Sequence, residues 1–358
     1  MNKKTKVAII GTQGVPAGYG GFESMVDNII GANTNGDISY TVFCSSKDKD
    51  KSLKEYKGCR LKYIPLHANG MQSIPYDILS MIRAVYGYDT LLILGTSGCT
   101  FLPILRCLTR ARLIVNIDGL EHKRAKWGKL ARTVLRLSEK AAVRAADVII
   151  ADNKGIQDYV SQTYHKDAIV ITYGGDNAIR HITEEKQAEI LKSYDLEKDN
   201  YSISVCRIEP ENNASMILEA FAKTGMPLVY IGNWNHNAYA RQLRKQYEHV
   251  ANIKMLDSIY DLDVLYALRH NCNFYVHGHS AGGTNPSLVE AMSIGCRVLA
   301  YDIVYNRETT FGQADYFTDA DSLATLLTTS QADGKLMKQL ALENYTWEKI
   351  AKEYEQIF

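Results

Sequence analysis

The sequence predicts a doubly wound α/β protein, built as two parallel-sheet domains joined at a hinge. Three observations carry that expectation. Apolar runs of four to six residues alternate with longer helical patterns. The alternation occurs in two series, separated by a polar stretch over residues 174–200. The chain has 358 residues, 46% hydrophobic and 23% charged, a globular composition long enough for two cores.

In the first series VAII (7–10), YTVF (40–43), LLIL (91–94), LIVN (113–116), VIIA (148–151) and IVIT (169–172) read as buried parallel strands. ESMVDNIIG and the long GKLARTVLRLSEKAAVRAA supply helices between them. The opening MNKKTKVAIIGTQG has a basic start but only a short apolar part before it turns. It reads as a first strand, not a leader, and the expected location is cytoplasmic. No apolar run reaches the roughly 18 residues of a membrane span.

The second series is YSISVC (201–206), PLVYIG (227–232), IKML (253–256), NFYVHG (273–278) and RVLAYD (297–302). Its helix NASMILEAFAKTG sets Met216, Ile217, Ala220 and Phe221 on one face and stops at a glycine. The hinge falls near YGGD (173–176). Domains are expected at 1–174 and 175–340, with NYTWEKIAKEYEQIF as an amphipathic helix within 341–358. Two such domains facing each other place a cleft at the C-terminal ends of their sheets, where open α/β sheets bind ligands.

Net charge is +1, but residues 1–175 carry 24 Lys and Arg against 15 Asp and Glu. Residues 101–150 alone carry 11 against 4, which suits an anionic partner or an ordinary solvated helix face. The seven cysteines form no CxxC pair, so reduced thiols are expected rather than zinc or disulfides.

HGHSAGGTNPSLVEAMSIG (277–295) is the segment richest in chemistry. Asn285 suits an N-cap, Pro286 the first helical position and Gly295 the C-terminal stop, so a helix is expected over 286–294. Gly282 and Gly283 just before it let main-chain N–H groups approach an anion, and the helix end adds partial positive charge. Glu290, one turn in, can accept from neutral hydroxyls beside that anion. Diphosphate on the amides and pentose hydroxyls on the carboxylate suit a sugar nucleotide. The bland alternative is a glycine-rich turn before a helix with a dipole-favoured glutamate.

The segment GGTNPSLVEAMSIG resembles the donor-binding signature of retaining glycosyltransferases of the GT-B fold. The resemblance extends to GTQGVPAGYGGFE (11–23), SVCRIEPENNASMILEAF (204–221), VYNRET and YTWEKIAKEY, nearly the whole chain. With DGLEHKRAKW (118–127) the combination is most similar to capsule and exopolysaccharide rhamnosyltransferases, which use a dTDP-linked deoxysugar. The family's fold implies two Rossmann-like domains facing a cleft, with a C-terminal helix crossing back to the first. It implies retention by front-face displacement, with no protein nucleophile, no cofactor and no metal; the nucleotide sugar is a substrate. Two positions depart from the pattern. Gly282 stands where the family usually has a first glutamate, and Asn212 where it has a lysine on the phosphate.

On this resemblance Arg207 clamps the donor diphosphate and supports its departure, against the alternative of a salt bridge to Glu209 or Glu211. Gly20, Gly21, Asn212, His279, Gly282, Gly283, Thr284, Asn285 and Glu290 are the further donor-site candidates. Asp257 and Ser258, in LDSIYD, fall where the base is held. Asp118, Glu121 and His122 are candidates to position or deprotonate the acceptor hydroxyl, with Lys123 and Arg124 beside them. The acceptor implied is a saccharide or a polyprenyl-diphosphate-linked sugar, the latter on the inner leaflet. The basic segment 122–144 with its interleaved leucines then suits a peripheral contact with an anionic membrane. No nucleic-acid partner is expected. The competing readings are a non-hydrolysing sugar-nucleotide epimerase, weakened by Gly282, and an NAD-dependent oxidoreductase, weakened by Gln13 and Val15 interrupting GxGxxG. A third is a catalytically silent sugar- or lipid-binding protein.

Overall fold

The protein is described from a computed structural model, which covers residues 4–18, 20–33, 36–120, 122 and 128–358. The chain divides into two units. The first comprises residues 1–173 and 347–358, the second residues 174–346.

In the first unit the chain runs β1 (Thr5–Ile10), α1 (Gly21–Ala32), β2 (Ile38–Ser45), β3 (Glu55–Tyr56), β4 (Cys59–Ile64), α2 (Ser73–Arg83) and β5 (Thr90–Leu94). It continues through α3 (Leu102–Leu108), β6 (Arg112–Asn116), α4 (Lys129–Ala145), β7 (Val148–Ala151), α5 (Lys154–Tyr164) and β8 (Ile169–Val170). The sheet order is β3-β4-β2-β1-β5-β6-β7-β8. Only the β3–β4 hairpin is antiparallel. All the other strands pair in parallel, with Val7 flanked by Tyr40 on one side and Thr90 on the other.

In the second unit come α6 (Glu184–Ser193), β9 (Ser202–Val205), α7 (Ala214–Thr224), β10 (Leu228–Ile231), α8 (Ala238–Tyr247), β11 (Ile253–Leu256) and α9 (Leu262–His270). These are followed by β12 (Tyr275–His277), α10 (Pro286–Ile294), β13 (Val298–Tyr301), α11 (Val304–Thr309), β14 (Asp315–Phe317), α12 (Ala320–Thr329) and α13 (Gly334–Asn344). Its sheet is parallel throughout, in the order β11-β10-β9-β12-β13-β14. The last helix, α14 (Trp347–Ile357), belongs to the first unit.

Both sheets thus wind outward from a first strand in one direction and then in the other. Each has a switch point, between β1 and β5 in the first unit and between β9 and β12 in the second. The strands are near-continuously apolar because helices cover both faces. Val7 to Ile10 and Leu91 to Leu94 are essentially inaccessible. Trp347, Ile350 and Tyr354 of α14 complete the core beneath α1 and β1, packed with Met25, Val26, Ile9 and Val42. The second unit has a core on each side of its sheet, one around Tyr275, Met292 and Met337, the other around Phe221, Tyr230 and Trp234. Among the described residues no helix is long and apolar enough to cross a membrane.

The strands fall where the apolar runs place them, with two shortfalls. IVIT yields only the two-residue β8, and the apolar runs do not announce the β3–β4 hairpin or β14. These are short edge elements whose pairing depends on neighbours rather than on an apolar run of their own.

Candidate functional site

Ligands of doubly wound sheets bind outside the C-terminal strand ends at the switch point. In the second unit the loops there are residues 206–213, after β9, and 278–285, after β12. The helix that follows the second loop has the predicted bounds. The Asn285 side chain accepts the Ser287 N–H at 2.9 Å, Pro286 opens the helix, and Gly295 closes it at φ 98°.

That cap changes which amides are available to an anion. Ser287 donates to the Asn285 side chain and Leu288 to the Asn285 carbonyl. Pro286 has no N–H. The first turn of α10 therefore offers its dipole but no open donor. Among the described residues, the N–H groups of Gly282, Gly283 and Asn285 donate to nothing, so the open donors lie in the loop. Gly282 is buried with φ 103°, a conformation that no glutamate would hold without strain.

Arg207 follows β9 and is exposed. Neither the salt bridge to Glu209 nor that to Glu211 forms. Among the described residues its guanidinium has no ion pair or hydrogen bond. Its own carbonyl accepts from Asn212 Nδ2 at 2.7 Å, and Asn212 Oδ1 lies 2.8 Å from His279 Nδ1. Because the Asn212 amide nitrogen already donates, its oxygen must accept, which puts the His279 proton on Nδ1. Asn212 is 5% exposed and its amide is committed on both sides. It was expected to face the donor; instead it staples the two loops together. Asn213 adds a second tie, Nδ2 to the Gly278 carbonyl at 2.9 Å, and Ser280 bonds the Glu211 carbonyl.

His277 is buried at the end of β12 with Nε2 unpartnered. Burial and the neighbouring His279 ring hold it well below the ordinary histidine value, so it stays neutral. Thr284 is buried within the loop. Asp257 is largely exposed and lies 3.6 Å from Arg244 Nη1; Ser258 follows it, past the end of β11. Glu290 is half-buried, and its carboxylate is bound by Arg269, a residue the sequence reading did not single out.

In the first unit the switch-point loops are organised by acids. Glu23 Oε1 accepts from Thr12 Oγ1 (3.0 Å) and from the Gln13 N–H (2.8 Å), and Asp27 accepts from the Ala17 N–H (2.7 Å). A side chain at Gly20 would run into the Glu23 carboxylate. Gly21 begins α1, which has no side-chain cap. Across the switch point, buried Asp77 accepts the Gly98 N–H at 3.2 Å.

Asp118 lies two residues beyond β6 in a left-handed turn, φ 54°, with its N–H donating to Asn116 Oδ1 at 3.0 Å. Asn116 Nδ2 in turn donates to the Tyr354 hydroxyl of α14 at 2.9 Å. His122 does not present itself at a surface. It is 4% exposed, with Nδ1 3.1 Å from Glu139 Oε2. Glu139 also accepts from Tyr159 (2.7 Å) and Tyr164 (2.6 Å), so a buried carboxylate meets its donors here and His122 is one of them. Glu121, Lys123 and Arg124 lie outside the described residues. Among the described residues no group of three or more His, Cys, Asp or Glu side chains converges to hold a metal ion.

Two doubly wound sheets, each with its switch point, are the architecture of a two-domain α/β protein. Residues 186–347 match the family of glycosyl transferases group 1, and residues 4–176 match a domain of unknown function, DUF1972. The group 1 match falls on the second unit, and the chain as a whole has the two-domain α/β fold of GT-B structures.

Solved structures agree on the fold. The chain is similar to sucrose-phosphate synthase from Thermosynechococcus elongatus, with a TM-score of 0.82 at 17% identity, covering 99% of this chain and 98% of that one. It is similar to Anabaena HepE in complex with UDP-glucose, with a TM-score of 0.77 at 14% identity, covering 98% of each. It is also similar to the catalytic domain of starch synthase IV from Arabidopsis thaliana bound to ADP and acarbose. There the TM-score is 0.73 at 12% identity, covering 99% of this chain and 98% of that one. Compared by sequence with curated proteins, the chain has no significant match.

Proposed function

We propose that this protein is a glycosyltransferase that moves L-rhamnose from dTDP-rhamnose to a polyprenyl-diphosphate-linked saccharide during synthesis of a cell-surface polysaccharide, with retention at the anomeric carbon. The observation that carries the donor half is the unpaired guanidinium of Arg207, across a stapled loop pair from the open amides of Gly282, Gly283 and Asn285. An exposed cation with no partner among the described residues is matched to a diphosphate, and it supports the charge that builds on the leaving group. The relatives with bound UDP-glucose and ADP favour a nucleoside diphosphate as the leaving group. Glycine at 282, where a sugar-gripping glutamate is usual, favours a donor with fewer hydroxyls to read, such as a deoxyhexose.

Reaction then needs positioning rather than a protein nucleophile. Asp118, held in its turn by Asn116 and Tyr354, is the first choice to orient the acceptor hydroxyl. The exposed residues of α4, Lys129, Leu130, Arg132, Thr133, Arg136, Leu137, Lys140 and Arg144, mix cations with leucines and a threonine and include no acid. That face supports a peripheral contact with anionic lipid on the cytoplasmic side.

The test is single-turnover transfer from dTDP-rhamnose to a lipid-linked glucoside, run beside UDP- and GDP-sugars. The expected result is a product that keeps the donor's anomeric configuration, with dTDP-rhamnose the fastest donor. An inverted product, or no turnover of any donor, refutes the reading. Glu290→Ala is expected to weaken nucleotide binding, seen as a smaller thermal shift.

A further inference from the structure

Helix α2 is built inside out. Its buried side is largely polar: Tyr76, Asp77 and Ser80, together with Met81. The polar groups there are bonded. The Tyr76 hydroxyl donates to the Thr12 carbonyl (2.8 Å), Ser80 Oγ donates to the Tyr76 carbonyl (2.8 Å), and Asp77 accepts the Gly98 N–H. The outward stripe carries Pro75 and Ile82, exposed, with Ile78 and Leu79 half-buried between them. Apolar residues continue past both ends, Met71 before the helix at 98% exposed and Tyr86 after it at 83%. A surface helix normally does the opposite.

The apolar surface does not end with α2. Thr109 Oγ1, just beyond α3, donates to the Val85 carbonyl at 2.9 Å and ties the ends of the two helices together. Between these ends lies a cavity of about 390 Å³, with Tyr86, Leu108 and Arg110 among its walls. Helix α3 turns Ile104 and Leu108 to solvent. It is tied to α4 by Arg106 on Asp147 (2.6 and 2.8 Å) and by the Thr100 N–H on Ser138 Oγ (3.1 Å). Helix α4 exposes Leu130 and Leu137. The three helices hold two acids, Asp77 and Glu139, and both are buried. Among the described residues Arg110, Arg136, Lys140 and Arg144 are exposed and have no ion pair. Exposed apolar side chains are ordinary when scattered singly. A contiguous layer of them, set with unanswered cations and showing no acid on its helices, marks an interaction surface.

Resting on the lipid contact read above from α4, we propose that α2 and α3 form the inserting part of a membrane-docking face. Met71, Ile82, Tyr86, Ile104 and Leu108 enter the headgroup–acyl boundary of an anionic bilayer, while the neighbouring cations meet its headgroups. Charge complementarity names the occupant. A partner for this layer must be apolar and anionic together, and an anionic lipid surface is both. A second copy of the chain is not, since a twofold pair would press the same cationic layer against itself. Tyr86 suits the boundary because its ring is apolar and its hydroxyl stays wet.

The experiment sediments the full chain with vesicles of phosphatidylcholine alone and of an equal mixture of phosphatidylcholine and phosphatidylglycerol. It is run at low salt and at about 1 M salt, where the Debye length is only ~3 Å. The wild type is expected to bind the anionic vesicles at low salt and to keep a bound fraction at high salt, because apolar insertion is not screened. Ile104→Gln combined with Leu108→Gln should lower the partition onto anionic vesicles about tenfold and remove the salt-resistant fraction, with an unchanged Tm. Wild-type binding that vanishes at high salt overturns the insertion and leaves only an electrostatic contact of α4, and it decides without any variant. Binding that the two substitutions leave unchanged overturns it as well. No binding at low salt refutes the α4 contact along with it. A dimer in solution that the same substitutions dissociate places a second copy on the face and also overturns the proposal. Transfer from dTDP-rhamnose to a water-soluble acceptor reads the catalytic assignment separately, since neither Ile104 nor Leu108 belongs to that site.

Discussion

The two units wind their sheets in one order and bring two loops to the same place at the switch point, yet they wire those loops with opposite chemistry. In the first unit carboxyl groups do the wiring: Glu23 and Asp27 on the β1 side, Asp77 on the β5 side. Amides that would otherwise be open to a ligand there are taken by acids. In the second unit a neutral amide and an imidazole make the staple, loop N–H groups stay open, and the exposed side chain is a guanidinium. Backbone topology alone supplies a concave place for a ligand. The side chains that tie the loops decide whether an anion is welcome in it.

Arg207→Ala is expected to produce the largest effect. Transfer efficiency, kcat/KM, should fall about 10²–10³-fold, and the thermal shift caused by a nucleoside diphosphate should vanish. The unliganded protein should melt almost unchanged, because the lost group is exposed and, among the described residues, bonded to nothing. A drop in the unliganded Tm of many degrees would instead mark Arg207 as a structural residue.

Glu23→Gln tests the other half of the comparison. It weakens two bonds to a buried carboxylate and is expected to cost about 2–3 kcal/mol in urea unfolding, while nucleotide affinity in the second unit changes less than twofold. A loss of nucleotide affinity as deep as that of Arg207→Ala would erase the distinction drawn between the loops.

The smallest effect concerns Asp77. Burial pushes its carboxyl up to about 8, partly offset by the Gly98 N–H. Unfolded, an aspartate titrates near ~4, so between these values the folded chain holds a proton that the unfolded chain has released. The stabilisation is therefore full below pH ~4, declines as pH rises, and is lost above about 8. Asp77→Asn should flatten the fall of Tm across that window. An unchanged slope would show that Asp77 ionises freely in the folded protein.

Local signals were the legible part of this chain. The bounds of α10 follow from Asn285, Pro286 and Gly295, three residues whose conformational preferences act within one turn. The central strands were equally plain, because a strand covered on both faces must be apolar along its length. Pairings across space were not legible. Nothing in the string marks Arg269 as the partner of Glu290, 21 residues on, or Glu139 as the acceptor for His122, Tyr159 and Tyr164. Asn212 shows the same limit. Its place in the motif pointed toward a phosphate, and only the position of His279 shows that its amide is committed elsewhere. One signal was available and passed over: an arginine amid the apolar residues of a helix, LDVLYALRH, needs a partner if it is buried.

The placement of α14 also constrains how the chain is made. Its Trp347, Ile350 and Tyr354 belong to the core around β1, but they are translated after the entire second unit. During synthesis the nascent first unit lacks a wall until residues 347–357 emerge, while the later-made second unit already has all of its own elements. The order of maturation is thus the reverse of the order of translation, and the turn at Asp118, tethered through Asn116 to Tyr354, is among the last places to be set.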